Sequence, residues 1–399
     1  MTGATRRPNP VWLVAGVVGW AGLGWLAISM FNQTPRTAAF DLELLLQAGR
    51  DIAAGRSPYV ASMVAGQAPG STDLFYSYPP PVAQAFSVVA GVPSGVIFGA
   101  LWVAAVGGLA VVTGLIGRAF PGAARRYVVP ALAVAPLFLP FGVGLLFGNL
   151  DVLFPLAYGL VMVAAVSGQR ADQLAGGVAL ALAAIAKIHP GSLGVWFLVR
   201  AIRERFVAGR SPSALVLAAA IATGLAVLLA SLIAGGADLW REYIPVAGAA
   251  SGARLLDPRN AGPAAQLVLV LGGEEGLVRT MQVPITLGAL AATIAAAAWV
   301  RDSLTSVAIA AVASLVVLPV TWYHYPAALI PFAIAAATRA AVGQGDGGRT
   351  RWLLLAAGVT ATVAIAWLPL LYVAVGLGLA GVHTSRPTET PRPSATRLS

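Results

Sequence analysis

Long apolar stretches alternate with short polar segments from one end of the chain to the other. Most of these stretches are close to the roughly 20 residues that a helix needs to cross the hydrocarbon layer of a membrane. A helix also satisfies its own backbone hydrogen bonds where water is absent. The pattern therefore predicts an all-α membrane protein, a polytopic helical bundle of about 10–12 transmembrane helices.

The predicted spans lie at about residues 11–31, 95–116, 127–147, 151–167, 174–199, 212–233, 281–300, 303–320, 325–338 and 352–379. The fifth span is interrupted at Lys187 to Pro190, which predicts two short helices or a re-entrant pair, since proline cannot continue a helix. The stretch from Pro79 to Pro93 and the last span, with Pro369, leave the number of passes open. Residues 1–382 are predicted to form a single domain, followed by a disordered tail at 383–399.

Arginine clusters between the apolar stretches predict which side of the membrane each loop faces. They lie at Arg6 and Arg7, at Arg118, Arg125 and Arg126, and at Arg200, Arg203, Arg205 and Arg210. Positively charged short loops stay on the cytoplasmic side. Two long polar segments, at about residues 32–78 and 235–280, are then external and face each other across the outer surface.

Composition narrows the class of protein further. Of the 399 residues 58% are hydrophobic and 10% charged, which excludes a large soluble domain. The net charge of +10 is spread over short clusters, so no nucleic-acid partner is expected. The chain has no cysteine, which excludes disulfides and thiolate metal sites. Usage rich in arginine, alanine, glycine and valine is typical of GC-rich bacteria, and we expect a bacterial plasma-membrane protein.

The first external segment begins with an amphipathic pattern. Leu42, Leu45, Leu46 and Ile52 recur at helical spacing, which predicts a helix lying at the membrane interface. Asp41 lies at the start of this helix, beside the membrane. Its carboxylate can cap the helix by accepting a backbone hydrogen bond. It can equally serve chemistry at the interface.

Two further polar elements lie at the predicted outer face. Tyr78 precedes three consecutive prolines, and it can anchor the chain at the headgroup level or stack on a sugar. Gly148 and Asn149 stand just before Asp151, between two apolar spans. They can form a helix cap and the start of the next helix. Polar groups so placed are also functional candidates.

Lys187, the only lysine, and His189 interrupt an apolar region. A charged side chain at the bilayer centre costs about 2.5–3.5 kcal/mol on the insertion scale, so something must compensate the ammonium. A bound phosphate would do so, and a lysine that snorkels to the interface is the alternative. His324 stands among aromatic residues at a predicted external turn, and an aromatic belt explains the rings without explaining the imidazole.

Together these elements resemble the family 87 glycosyltransferases of the glycosyltransferase C superfamily, which include mycobacterial mannosyltransferases of phosphatidylinositol mannoside assembly. The elements are Asp41, Gly-x-x-Pro-Tyr, aromatic-x-Tyr-Pro-Pro, Gly-Asn, Lys-x-His-Pro and Trp-x-His-Tyr, in that order over about residues 40–326. The chain departs from the family at Leu44 to Leu46, where aromatic residues are frequent. It departs again at Asn260 to Pro263, where the family has Asn-x-Ser.

The resemblance implies inverting transfer of a sugar, in first place mannose, from a polyprenyl-phosphate donor to a glycolipid or glycan acceptor on the outer membrane face. Asp41 is then the general base. The implied donor-binding residues are Tyr59, Tyr78, Asn149, Lys187, His189, Arg259 and His324. Neither a metal nor a cofactor is expected besides the lipid-linked donor, and membrane lipids surround the bundle. Transfer of arabinofuranose, lipid or solute transport, and an inactive scaffold for envelope assembly are the alternatives.

Overall fold

The computed structural model describes residues 10–33, 38–67, 69, 75–120, 124–209 and 211–386. Within these ranges the regular elements are helices, and an isolated antiparallel bridge joins Asn260 to Trp322. The predicted all-α class is therefore confirmed. The predicted disordered tail lies largely outside the described residues, which end at Arg386, and the single-domain assignment stays a prediction.

The helices are α1 (Pro10–Phe31), α2 (Phe40–Ala53), α3 (Ala61–Val64), α4 (Pro80–Ser87), α5 (Ser94–Ala119), α6 (Ala124–Val134), α7 (Leu139–Phe147), α8 (Phe154–Val166), α9 (Arg170–Ala186), α10 (Leu193–Ala208), α11 (Pro212–Gly235), α12 (Asp238–Ser251), α13 (Pro263–Leu271), α14 (Glu275–Trp299), α15 (Ser303–Leu315), α16 (Ile330–Ala341), α17 (Gly347–Val363) and α18 (Leu370–Thr384). Short 3-10 turns at Ala135–Leu137, Leu150–Leu153, His189–Ser192 and Tyr325–Leu329 precede α7, α8, α10 and α16.

Four of the described helices, α1, α5, α11 and α14, are long and apolar enough to cross a membrane. The pair Val129–Leu137 and Leu139–Phe147 adds a fifth if it is counted as one span, and its two halves are bent by 71°. Three more apolar helices have 10–17 residues: Leu150–Val166, Ser303–Leu315 and Leu370–Thr384. The protein is thus a multi-pass helical membrane protein, and the larger number of 10–12 spans stays a prediction.

Breaks divide several predicted spans. The predicted interruption after Ala186 is confirmed, because α9 ends there and a 3-10 turn with Pro190 leads into α10. The spans predicted at 127–147 and 352–379 are not single continuous helices. The first bends near Phe138, where Pro136 and Pro140 stand on either side, and the second breaks before Leu370. Proline lacks the N–H that would continue a helix, so apolar composition persists where the helix does not.

The largest hydrophobic core surrounds α8, which packs against α5, α9, α15 and α16. Tyr158, Met162 and Trp196 are almost completely buried in this core. Helix α9 approaches α11 very closely, and a Cβ at Gly177 would lie 2.4 Å from the carbonyl oxygen of Val216. Small residues permit such close approach of membrane helices. By contrast, α1 and α11 expose many of their apolar side chains, as helices that face lipid do.

The amphipathic helix predicted in the first polar segment is confirmed as α2, whereas its location at the external membrane interface stays a prediction. Its apolar face, including Leu42, Leu45 and Leu46, is buried against α4 and α5. Asp41 is the second residue of this helix. The residue that precedes the helix is Ala39, and it makes no side-chain capping bond. The interpretation of Asp41 as the helix cap is therefore wrong, and its carboxylate points to other partners.

Polar clusters lie at both ends of α15. At its start Asp302 caps the helix and binds Arg339, with nitrogen–oxygen distances of 2.9 and 3.1 Å. Near its end the Ser314 hydroxyl lies 2.8 Å from that of Tyr158. At a rise of 1.5 Å per residue, about 18 Å of helix separates the two clusters. The end of α15 that carries Asp302 and binds Arg339, called here the arginine-rich end, is therefore remote from the end near Ser314.

Candidate functional site

Four separate interruptions of the helices meet at one place in the fold. They are the start of α2, the turn between α7 and α8, the break between α9 and α10, and the segment that joins α15 to α16. We call the polar residues that meet there the Asp41 cluster: Asp41, Asn149, Asp151, Lys187, His189 and His324. A helix end can turn a polar side chain toward a site without placing it on a lipid-facing surface.

Asn149 connects the turn after α7 to α2. Gly148 closes α7 in the left-handed conformation, with φ of 67°, and Asn149 then caps the next turn by accepting from the backbone N–H of Asp151 at 3.0 Å. The capping interpretation of this turn is confirmed. The Asn149 amide also donates to Oδ2 of Asp41 at 2.7 Å. One side chain therefore caps a helix and holds the Asp41 carboxylate.

Asp151 is the residue at the middle of the cluster. Its Oδ2 lies 2.7 Å from Nζ of Lys187 and 3.1 Å from Nε2 of His324, and the residue is 1% exposed. Sequence reasoning noted the turn that contains Asp151 but did not include it among the site residues. The signal was present, since a lysine and an aspartate in apolar surroundings each need a compensating charge.

Lys187 does not snorkel, and that interpretation of the sequence is wrong. Its side chain is only 12% exposed and is paired with Asp151. Its ammonium also lies 4.3 Å from the centre of the Tyr325 ring, a favourable position for a cation. The cost of the buried ammonium is therefore offset within the protein, and the charge is fixed in one position.

His189 is also buried in the interior of the helical bundle, close to Lys187. Its ring stacks on Tyr325 with centroids 5.2 Å apart, and Nδ1 lies 3.3 Å from the Tyr158 hydroxyl. In the described part of the chain its buried Nε2 has no hydrogen-bond partner. Tyr158 and Tyr325 were not predicted as site residues. Only their spatial arrangement around His189 reveals them, because aromatic residues in apolar spans are common.

Asp41 is partly buried and lies close to several charges. Burial raises the pKa of its carboxyl above the ordinary value, while His324, the amide of Asn149 and the ammonium of Lys187 oppose that rise. A carboxylate whose proton affinity is raised accepts a proton more readily than an exposed one. The environment of Asp41 is therefore suited to general-base chemistry.

Tyr78 borders the cluster, and Tyr59 stands behind it. Burial raises the pKa of the Tyr78 phenol, and the nearby charge of Lys187 opposes that rise. Tyr59 donates its hydroxyl to the carbonyl of Tyr78 at 3.0 Å. Its ring is buried between Tyr76 and Tyr243, with centroid distances of 5.7 and 6.0 Å. Tyr59 thus supports the Tyr78 backbone and presents no open face to a sugar.

Arg259 lies apart from the other predicted residues. It stands in an exposed turn of the second polar segment, which was predicted to be external, and its guanidinium binds Asp257 at 2.7 and 2.9 Å. Its side chain is 74% exposed, and within the described part of the chain no hydrogen bond or ion pair joins it to the Asp41 cluster. Its predicted role toward the donor phosphate stays a prediction.

The bundle of apolar helices and the buried cluster of carboxylates, ammonium and imidazoles define a polytopic membrane protein with a candidate catalytic centre. The model of glycosyltransferase family 87 matches residues 76–321, more than half of the chain. The chain therefore belongs to glycosyltransferase family 87 and is a membrane glycosyltransferase, as its motifs predicted. No curated protein and no solved structure matches it. Asp41, Tyr59 and His324 lie outside the matched range.

Proposed function

We propose that this glycosyltransferase transfers a mannosyl group, with inversion, from a polyprenyl-phosphate donor to a lipid or glycan acceptor at the outer face of a bacterial plasma membrane. The observation that carries the proposal is the Asp41 carboxylate, fixed 2.7 Å from Asn149 next to the Asp151–Lys187 ion pair and the imidazole of His324. It combines a candidate base with an ammonium that is fixed by its pairing with Asp151. Mannose as the sugar rests on the resemblance to mycobacterial mannosyltransferases.

In the proposed reaction an acceptor hydroxyl attacks the anomeric carbon of the donor sugar. Asp41 takes the hydroxyl proton as the new carbon–oxygen bond forms. The bond between the anomeric carbon and the phosphate oxygen breaks, and polyprenyl phosphate leaves with the electron pair. Attack opposite to the leaving group inverts the anomeric configuration. The raised pKa of Asp41 supports this role for it.

The departing phosphate needs stabilisation of its growing negative charge. Lys187 and His324 would supply this stabilisation. Both side chains contact the same oxygen of Asp151, so they are fixed before the sugar donor binds. Charged groups and hydrogen-bond donors that are already in place stabilise a transition state without reorganisation. His189 would act indirectly, through the Tyr325 ring that it shares with Lys187. The proposed mechanism requires no metal ion and no cofactor.

A cavity of about 400 Å³ supports a donor that is linked to a lipid. Its lining is apolar and comes mainly from α6, α16, α17 and α18, and it includes Pro326 and Leu329. Pro326 follows directly after Tyr325 of the candidate site, and Leu329 ends the same turn. An isoprenoid chain has the apolar surface that such a cavity accommodates.

The arginine-rich end of the bundle supports an external site. Arg200 binds the Ser303 hydroxyl at 3.0 Å, at the same end of α15 as the Asp302–Arg339 pair. Positive residues mark the cytoplasmic side. The Asp41 cluster lies near the other end of α15, which is then the external one.

The proposal is tested by transfer from radiolabelled polyprenyl-phosphate-mannose to lipid acceptors in membranes that contain the full-length protein. The compared variants are wild type, Asp41→Asn and, as a matched control, Asp51→Asn, whose partner Arg56 is exposed and follows the end of α2. We expect product from wild type and from Asp51→Asn, and none from Asp41→Asn. Equal product from all three would refute Asp41 as the base. If product formed only with polyprenyl-phosphate-arabinofuranose, the transferred sugar would be arabinofuranose and not mannose.

A further inference from the structure

The segment that carries His324 has no regular structure of its own. Helix α15 ends at Leu315, and the next turn begins only at Tyr325. Two side chains of α14 hold the first part of the segment: Gln282 donates to the Val316 carbonyl at 3.0 Å, and Thr286 donates to the Val317 carbonyl at 3.0 Å. The position of His324 is thus set by contacts outside its own segment.

The second external segment supplies the most complete of these contacts through Asn260. Its Nδ2 donates to the carbonyls of Pro319 at 3.0 Å and Leu255 at 3.2 Å. Its Oδ1 accepts from the backbone N–H of Thr321 at 2.9 Å and of Gly262 at 2.8 Å. A side-chain amide has two donors and two acceptor positions, and all four are used here. Asn260 is fully buried, so no water replaces these bonds.

The backbone next to Asn260 strengthens the same connection. The N–H of Ala261 donates to the Thr321 carbonyl at 2.6 Å. The carbonyl of Ala261 accepts from the Tyr372 hydroxyl at 2.5 Å, which ties the turn to α18. The Thr321 hydroxyl donates back to Leu315, the last residue of α15, at 2.9 Å. Thr321 is therefore fixed on several sides, three residues before His324.

We propose that Asn260 is a positioning residue for His324. Its amide binds the backbone of Pro319 and Thr321 and thereby fixes the segment that carries His324. The imidazole of His324 in turn contacts Asp151. Asn260 makes no contact with the proposed reacting groups, and its effect on transfer is indirect. The effect on catalysis rests on the proposed function, whereas the effect on the position of His324 does not.

Imidazole NMR tests the positional part without any activity. The chain has only three histidines, His189, His324 and His383, so a histidine-labelled sample in detergent gives few signals, and His324→Gln assigns one of them. Asn260→Asp keeps the shape of the side chain but replaces its two N–H donors by an acceptor oxygen. We expect it to move the His324 signal and to leave that of His383, on α18, unchanged.

The matched control is Gln266→Leu, which removes a buried bond of 2.7 Å to the Asn260 carbonyl but no bond to residues 316–324. We expect the His324 signal of this variant to match wild type. A softer variant, Asn260→Ser, introduces no carboxylate and serves if Asn260→Asp does not fold. An unmoved His324 signal in a folded Asn260 variant, or an equal movement in Gln266→Leu, would overturn the proposal.

A double-mutant cycle tests the catalytic part. We expect Asn260→Asp to lower kcat by roughly tenfold or more when His324 is present, and by less than about twofold in the His324→Gln background. A residue that only stabilises the fold would give the same factor in both backgrounds, and that result would overturn the catalytic role. If wild type itself transfers no sugar, the proposed function fails while the NMR result still decides the position of His324.

Discussion

The ammonium of Lys187 lies 2.7 Å from Oδ2 of Asp151 in the interior of the bundle. Each charge is the compensation for the other, so removal of one leaves the other buried and unpaired. We expect Lys187→Met to lower the free energy of unfolding in detergent by about 3–5 kcal/mol. The double variant Lys187→Met/Asp151→Asn should lose less than Lys187→Met alone, because it leaves no unpaired charge. A double variant less stable than both single variants would contradict this account.

The rate of transfer should depend on the ionisation of Asp41. A base accepts protons only when it is ionised, that is above its pKa, and burial raises the pKa of Asp41. We therefore expect kcat/KM to rise with pH through an apparent pKa above that of an ordinary aspartate. Asn149→Ala removes the hydrogen bond that favours the ionised carboxylate of Asp41. The rise of kcat/KM with pH should therefore move to higher pH in this variant. The exposed Gln47→Ala on α2 is the control, and a rise that stays in place in Asn149→Ala would count against Asp41 as the base.

Transfer should not depend on a divalent cation. The ammonium of Lys187 and the imidazole of His324 already stand where the departing phosphate is proposed to lie. We expect the initial rate in EDTA-treated membranes to stay within about twofold of the untreated rate, and magnesium or manganese to have no larger effect when added back. Loss of activity with EDTA, restored by one of these ions, would show that the proposed mechanism lacks a component.

The close approach of α9 and α11 should tolerate no side chain at Gly177. An added Cβ would lie 2.4 Å from the Val216 carbonyl oxygen and 2.6 Å from the Ala219 side chain, so the helices must separate. We expect Gly177→Ala to destabilise the protein by about 1–3 kcal/mol in detergent unfolding. Gly194→Ala on α10 is the control, because its added Cβ meets no atom within 4 Å. Equal stability of the two variants would mean that this contact is looser than described.

The proposed orientation is open to a direct test, because the native chain has no cysteine. Single cysteines are introduced at Ala54, at the end of α2, and at Val207, near the end of α10, where both side chains are exposed. A membrane-impermeant maleimide on intact cells should label Ala54→Cys and spare Val207→Cys, which should react only after lysis. The opposite pattern would place the Asp41 cluster on the cytoplasmic side.

Much of the fold follows from signals that are local in sequence. The apolar spacing around Leu45 predicted α2, and Pro190 predicted the break after α9, because both depend on residues within one or two turns. The bend near Phe138 was missed although Pro136 and Pro140 are visible in the sequence. Apolar composition continues across this bend, and composition alone does not distinguish a straight helix from a broken one.

The candidate site was predictable residue by residue but not as an arrangement. Asp41, Lys187 and His324 each stood out, since ionisable groups in apolar surroundings require an explanation. The pairing of Lys187 with Asp151 joins positions 36 residues apart, and no local pattern reveals it. The enclosure of Tyr59 by aromatic rings likewise depends on a residue far away in sequence, Tyr243. The pairing of Arg259 with Asp257 is local, and it was missed.

The Asp41 cluster draws its residues from both sides of the segment that identifies the family. That segment, residues 76–321, contains Asn149, Asp151 and Lys187, whereas the carboxylate of Asp41 and the imidazole of His324 come from the flanks. Membership in the family and possession of the full reactive set are therefore two separate properties of a chain. A homologue that keeps the central segment and loses either flank would still be recognised as a relative while lacking the proposed chemistry.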